Sequence, residues 1–169
     1  MKPTTRPIIG IDPGIKGAVA LLEPNGCLTV WDLKEFYSND LGFNCLNENM
    51  FNNFVQQEFS RLYENAYVIC EKPQIRYQDG IKTSRCVYRS DGVMAAIFRC
   101  YGFTYVGAKE WKKFFGLSEN KVDSIDRAVK EFPSWKDFFV GPRGGQRDGR
   151  AEAALIALYA KRYRNIPIF

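Results

Sequence analysis

Four carboxylates in this sequence stand where a pair of divalent cations would need them. The run Arg6-Pro7-Ile8-Ile9-Gly10-Ile11-Asp12-Pro13-Gly14 is a short apolar strand closed by an acid and a glycine turn. Asp12 is the only charge in its apolar part, which places it at the strand's end rather than on a solvated face. A second run, Ala66-Tyr67-Val68-Ile69-Cys70-Glu71, also ends in an acid. Asp148 and Glu152 lie four apart at the start of a predicted helix, so both point along one face. Carboxylates drawn together from distant segments repel one another unless a cation sits among them. Mg²⁺ suits such a set, because it is hard, takes oxygen ligands and keeps several waters for a substrate phosphate to replace. Two such ions about 4 Å apart serve in-line displacement at a phosphodiester.

Each acid also has a plainer reading. Asp12 could cap the turn before Pro13, and Glu71 could pair with Lys72 or Arg76 at the surface. Asp148 could be the N-cap of the last helix, and Glu152 a solvated residue one turn on. The joint placement, two strand ends and one helix start, is what favours the metal site.

Histidine is absent from the 169 residues, which removes Ser-His and Cys-His nucleophile schemes, His-ligated zinc and a histidine general base. The five cysteines never form a CxxC and are odd in number, so neither a disulfide framework nor a thiolate zinc site is expected. Cys70 and Cys100, in apolar stretches, read as small core residues. No apolar run approaches the roughly 18–20 residues that span a bilayer. The N-terminal segment has no apolar signal region, so a cytoplasmic protein, bacterial or from a phage-infected cell, with no membrane partner is expected.

A net charge of +5 predicts only a tendency towards polyanions, and the distribution says more. Lys72, Arg76, Lys82, Arg85, Arg89 and Arg99 follow the second acid, with Tyr77 and Tyr88 among them. Lys109, Lys112 and Lys113 form a second cluster, and Arg143, Arg147 and Arg150 bracket Asp148. Basic groups flanking an acidic cluster read as a phosphate-binding surface.

The elements that must position these groups make one domain over 1–169, without linker or repeat. Strands are predicted over 6–12, 16–23 and 27–33, joined by tight turns at Pro13-Gly14 and Pro24-Asn25-Gly26 into an antiparallel meander. A helix over 47–64 follows, its apolar residues Met50, Phe51, Phe54, Val55, Phe59, Leu62 and Tyr63 at helical spacing. Then come a strand over 66–71, a polar loop to about 82, a helix over 86–101 carrying Val93, Ala96, Ile97 and Cys100, and a strand over 102–106. Helices over 108–115, 121–132 and 148–163 complete the chain, the last packing through Ala151, Ala154, Leu155 and Leu158. The order βββαβαβ followed by helices gives an α/β fold, a mixed sheet with helices packed against it.

The run Ile9-Gly10-Ile11-Asp12-Pro13-Gly14-Ile15-Lys16-Gly17-Ala18 resembles the first strand of RuvC-like Holliday junction resolvases, members of the ribonuclease H-like superfamily. Glu71 in Val68-Ile69-Cys70-Glu71-Lys72-Pro73 looks like that family's second acid, and Asp148 to Ala157 like its last helix. The Gly149-Arg150-Ala151-Glu152-Ala153 core, the Gln78-Asp79-Gly80 loop and Trp111-Lys112 are similar to the branch of plant chloroplast resolvases and related phage proteins. The last helix departs from bacterial RuvC, which carries two aspartates three apart.

This resemblance implies a ribonuclease H-like five-stranded sheet flanked by helices. It also implies a homodimer that makes paired symmetric nicks in a four-way DNA junction, with no nucleotide cofactor. Asp12, Glu71, Asp148 and Glu152 would be catalytic and hold two Mg²⁺ per site, Mn²⁺ being possible. Lys16 and Lys121 could hold the scissile phosphate, and Arg76 or Tyr77 could wedge the junction. Lys72, Arg85, Lys112, Arg147 and Arg150 complete the expected DNA contacts. The 141–149 loop, rich in glycine, could lie close to the DNA backbone.

Rival readings are a ribonuclease H or an RNA-processing nuclease of the YqgF type, an actin-like ATPase, and a junction-binding protein without catalysis. The Gly-Arg-Ala-Glu-Ala helix leans away from the first. An ATPase of two lobes needs a chain about twice this long, and a binding protein would not need all four acids.

Overall fold

The computed structural model describes residues 6–62, 65–75, 79–118, 120–142 and 144–163. Three strands open the chain, β1 (Ile8–Asp12), β2 (Ala18–Leu22) and β3 (Leu28–Asp32). They pair antiparallel in the predicted meander, with Asp12 opposite Ala18 and Ala18 opposite Asp32. The β2–β3 turn works as its residues require: Gly26 takes a φ of 91° and the Asn25 side chain accepts a hydrogen bond from the Cys27 N–H at 2.9 Å. A two-stranded hairpin follows, β4 (Tyr37–Ser38) and β5 (Cys45–Leu46), then α1 (Glu48–Phe59). The chain continues through β6 (Tyr67–Glu71), α2 (Ile81–Phe98), β7 (Phe103–Val106) and α3 (Ala108–Phe115). It ends with α4 (Lys121–Glu131), α5 (Lys136–Phe139) and α6 (Asp148–Tyr163).

The main sheet runs β3-β2-β1-β6-β7, with β6 and β7 parallel to β1. This is the mixed five-stranded sheet that the element order predicts. Alternation along the strands divides its side chains between two cores. Ile9, Ile11, Val19, Val68 and Cys70 face the core shared with α1 and α2, where Phe51, Phe54, Phe59 and Phe98 pack ring against ring. Ile8, Ala20 and Ile69 face the other core, built around α6 and covered by α3, α4 and α5.

Helix α6 is the pillar of the second layer. The predicted stripe of four residues understates it, because every residue from Ala153 to Ala160 is buried except at the solvent margin of Leu158. Its alanines allow close approach, and Gly10 on β1 removes the last obstacle. A Cβ on Gly10 would lie 2.3 Å from the Ala153 carbonyl oxygen and 2.6 Å from the Ala157 nitrogen. At the end of the helix near the sheet edge, a Cβ on Gly149 would lie 2.1 Å from the Lys16 carbonyl oxygen. Backbone therefore meets backbone at both places.

Several sequence expectations shift. The helix predicted over 47–64 ends as an α-helix at Phe59 and tightens through Ser60–Leu62, with Asn47 capping it, and Met50 faces solvent. Positions 63 and 64 lie outside the described residues. Helix α2 starts at Ile81, five residues before the predicted start, and buries Val93, Met94 and Phe98 rather than Ala96 and Cys100. Its first turn, Lys82 to Arg85, is polar and carries no apolar stripe, so the periodicity signal begins late. Cys70 is buried as expected, whereas Cys100 is exposed in the short turn that follows α2. No helix among the described residues is long and apolar enough to cross a membrane.

Candidate active site

The fold brings the predicted acids to one place. In the parallel β1–β6 ladder Ile11 pairs with Cys70, so Asp12 and Glu71 come next, side by side on adjacent strands about 4.8 Å apart. Both follow the alternation onto the α6 face, since Gly10 and Ile69, two residues back, pack there. Helix α6, held against Gly10 and the β1–β2 turn, delivers Asp148 and Glu152 to the same edge from its first two turns. Asp148 is thus the first helical residue rather than a detached cap.

The electrostatics of Asp12 report this convergence. Burial pushes its carboxyl well above the ordinary carboxylate range, and Glu152, Glu71 and Asp148, in that order, push it further. Part of Asp12 still reaches solvent, but protein atoms crowd its carboxyl, and it is this local environment that sets the proton's affinity. Burial also raises Glu71, and a hydrogen bond from Trp111 opposes the rise. The indole Nε1–H of Trp111 donates to Glu71 Oε2 at 2.7 Å. Glu71 makes no ion pair with Lys72, one of the two surface alternatives; Trp111 holds it from inside the protein.

Two lysines stand among the acids. Lys112 Nζ lies 3.0 Å from Glu152 Oε1, and the Ser124 hydroxyl donates to that same oxygen at 3.1 Å. Lys121 bonds Asp148, and that bond raises the lysine's pKa. Two ammonium groups against four carboxylates leave negative charge in excess, which the raised Asp12 registers. Among the described residues no three acidic, cysteine or histidine groups close up into a coordination shell. The four acids are coupled by charge without being gathered into such a shell, and lysines bond two of them. An all-oxygen donor set with surplus negative charge fits a hard divalent cation such as Mg²⁺.

A cleft of about 1170 Å³ opens from these groups. Glu71 and Glu152 line it together with Lys82, Lys109, Lys112, Lys113 and Lys121, and Tyr37, Phe43, Cys86 and Ser90 form its far wall. Burial pushes the Tyr37 hydroxyl up to about 12, so it stays protonated there. Of the other predicted DNA contacts, Lys16 is exposed just past the first acid's turn, and Lys72 and Arg85 are exposed beyond Glu71 and on α2. Arg76, Tyr77 and Arg143 lie outside the described residues. Arg147 is half-buried and reaches back to the Asp137 carbonyl at 3.4 Å.

Arg150 is employed elsewhere. Its guanidinium forks onto Asp32 at the end of β3, with contacts of 2.6 and 2.8 Å, so it joins α6 to the sheet instead of facing the cleft. The Arg150 fork holds the Asp32 carboxyl below the usual range. A depressed acid adds stability above its unfolded pKa of about 3.9, and that stability is lost as pH falls through the folded value. Asp32→Asn is therefore expected to lower Tm at neutral pH and to make Tm fall less steeply below pH about 4 than in the wild type. Parallel melting curves for the two proteins across the acid range check this.

Sequence reasoning missed Trp111 and Ser124 as site residues. Trp111 was legible only as part of a family-like segment, and nothing local marks an indole 40 residues from its carboxylate.

No protein-family model matches this chain, and no curated protein matches its sequence. Solved structures do match. RuvC of Thermus thermophilus in complex with a Holliday junction substrate aligns over 96% of this chain and 99% of that chain, with a TM-score of 0.55 and 14% identity. Another Thermus thermophilus RuvC structure aligns over 92% and 95%, with a TM-score of 0.52 and 15% identity. The chain thus has the RuvC-like, ribonuclease H-like fold over nearly its whole length.

Proposed function

We propose that this protein is a divalent-metal-dependent endonuclease that resolves four-way DNA junctions, acting as a homodimer that makes paired symmetric nicks. The observation that carries the reading is the convergence of Asp12, Glu71, Asp148 and Glu152 beside a lysine-lined cleft. A fold shared with a protein solved on a Holliday junction supports the substrate class. A two-fold junction favours a two-fold enzyme.

The four carboxylates would hold Mg²⁺, or Mn²⁺, which would supply Lewis-acid stabilisation of phosphate charge and a water acidic enough to attack at neutral pH. The chain's own residues do the rest. Asp12 and Glu71, fixed on adjacent strands, set the position of the scissile phosphate relative to the sheet edge. Lys112 and Lys121 reach the same point from α3 and α4 and neutralise phosphate oxygens. Lys16, Lys72, Lys82 and Arg85 track the flanking backbone, a task that needs charge and no base specificity. A cytoplasmic location in a bacterial or phage-infected cell accords with this reading.

The test is incubation of purified protein with a synthetic four-way junction, with Mg²⁺ or with EDTA. Symmetric nicks only with Mg²⁺, and binding that weakens steeply with salt, are the expected results. Preferential cutting of an RNA–DNA hybrid, or tight junction binding without any Mg²⁺-dependent nick, would overturn the proposal.

A further inference from the structure

We propose that Trp111 and Ser124 are positioning residues that preset the two inner carboxylates, Glu71 and Glu152, for a divalent cation. This rests on the reading of the four acids as a cation site and goes beyond it by assigning the groups that aim them. Both donors are fully buried, at 0% exposure, which sets them apart from the partly exposed ammonium groups of Lys112 and Lys121. Trp111, on α3, gives its indole N–H to Glu71 Oε2 at 2.7 Å, and Ser124, on α4, gives its hydroxyl to Glu152 Oε1 at 3.1 Å.

Their neutrality is the point. A lysine that bonds a carboxylate competes with a metal for it, as Lys112 does on Glu152 and Lys121 on Asp148. An indole N–H or a hydroxyl orients the carboxylate without cancelling its charge. Each donor engages one oxygen, so the second oxygen of each acid is the one directed to an incoming cation. Two long side chains are thereby held in a single rotamer before the ion arrives. The ordering entropy is met during folding rather than at binding. Outer groups that orient ligands in this way typically govern metal affinity by about 10–100-fold.

Trp111→Phe keeps the ring in the core and removes only the donor, and Ser124→Ala does the same for the hydroxyl. The probe is Mn²⁺ binding to the isolated, DNA-free protein, followed by paramagnetic resonance and calorimetry at neutral pH. Each variant is expected to bind Mn²⁺ about tenfold more weakly, with the double variant weaker still. Phe132→Leu, a truncation in the same core away from the acids, serves as the stability control and is expected to lower Tm without changing Mn²⁺ affinity. The indole N–H of Trp111 should exchange slowly with solvent in the wild type and faster in Glu71→Ala.

Unchanged Mn²⁺ affinity in both variants would overturn the proposal, as would a loss in Phe132→Leu equal to theirs. A wild-type protein that binds no Mn²⁺ would overturn the cation site itself, and the positioning role with it. A protein that binds Mn²⁺ through these donors but cuts no junction would uphold this inference and overturn only the assigned substrate.

Discussion

Asp12→Asn is expected to abolish junction cleavage while the protein stays folded, binds the junction and, without metal, melts above the wild type. The loss follows from the site's centre. Asp12 is the acid that feels all three others, so its removal takes away the group they share. Outer-shell changes at metal sites cost about 10–100-fold, so a direct ligand should cost at least about 100-fold.

The gain in stability follows from the sign of the shift. The folded protein holds the Asp12 proton more tightly than the unfolded chain does, because burial and Glu152, Glu71 and Asp148 all oppose the charge. As pH rises from the unfolded pKa of about 3.9 to the raised folded value, the unfolded chain gives up a proton that the native one keeps, and stability falls. Above that window the penalty is complete. Asparagine never incurs it, so the variant's advantage should grow as pH rises through the window and vanish in acid. Divalent cation reverses the ranking, since it stabilises only the protein that binds it. Melting curves with EDTA and with Mg²⁺, beside a gel of the cleaved junction, report all of this. A variant less stable than the wild type in EDTA at neutral pH would show that Asp12 is not in a repulsive cluster.

Gly149→Ala is expected to cost both stability and cation binding, although it changes no charged group. Its Cβ would meet the Lys16 carbonyl oxygen at 2.1 Å and the Gly17 Cα at 2.8 Å, and these are backbone atoms that have no rotamer to escape into. Overpacking of this kind typically costs about 1–3 kcal/mol, which is roughly 5 °C of Tm in a chain of this size. The relief available is for the first turn of α6 to lift away from the β1–β2 turn. That motion carries Asp148 and Glu152 away from Asp12 and Glu71. Gly92→Ala is the matched control. Gly92 lies within α2 with nothing inside 4 Å of its added Cβ, so the same change there should be neutral or slightly stabilising. Equal Tm and equal Mn²⁺ affinity in Gly149→Ala and Gly92→Ala would show that α6 is not pinned as described.

Much of the architecture could be read from local pattern. The meander was legible because β1, β2 and β3 are short apolar runs separated by Pro-Gly and Pro-Asn-Gly, residues that turn for stated reasons. Asp12 and Glu71 were legible because each is a charge that closes an apolar strand. Their adjacency was not, because it depends on β6 inserting beside β1 in parallel register, a long-range pairing without local trace. The start of α2 was missed because its first turn, Lys82 to Arg85, is polar and the exposed Ile81 stands alone before it. Arg150 was read as a phosphate ligand on charge alone, and Asp32, its partner 118 residues away, turned it into a structural fork. Trp111 and Ser124 went unseen for the same reason. A neutral donor becomes part of a site only when the tertiary structure points it at an acid.

Helix α6 also limits how this chain can change length. An α-helix turns about 100° per residue, so one residue inserted between Glu152 and Ala157 would swing both terminal acids a quarter-turn off the sheet edge. The same insertion would bring larger side chains against Gly10, where only alanine's neighbourhood fits. Insertions are tolerable in the hairpin tip at 39–44, where the chain is largely exposed. Descendants of this sequence should therefore differ in loop length while the count of residues from Asp148 to Ala157 stays fixed.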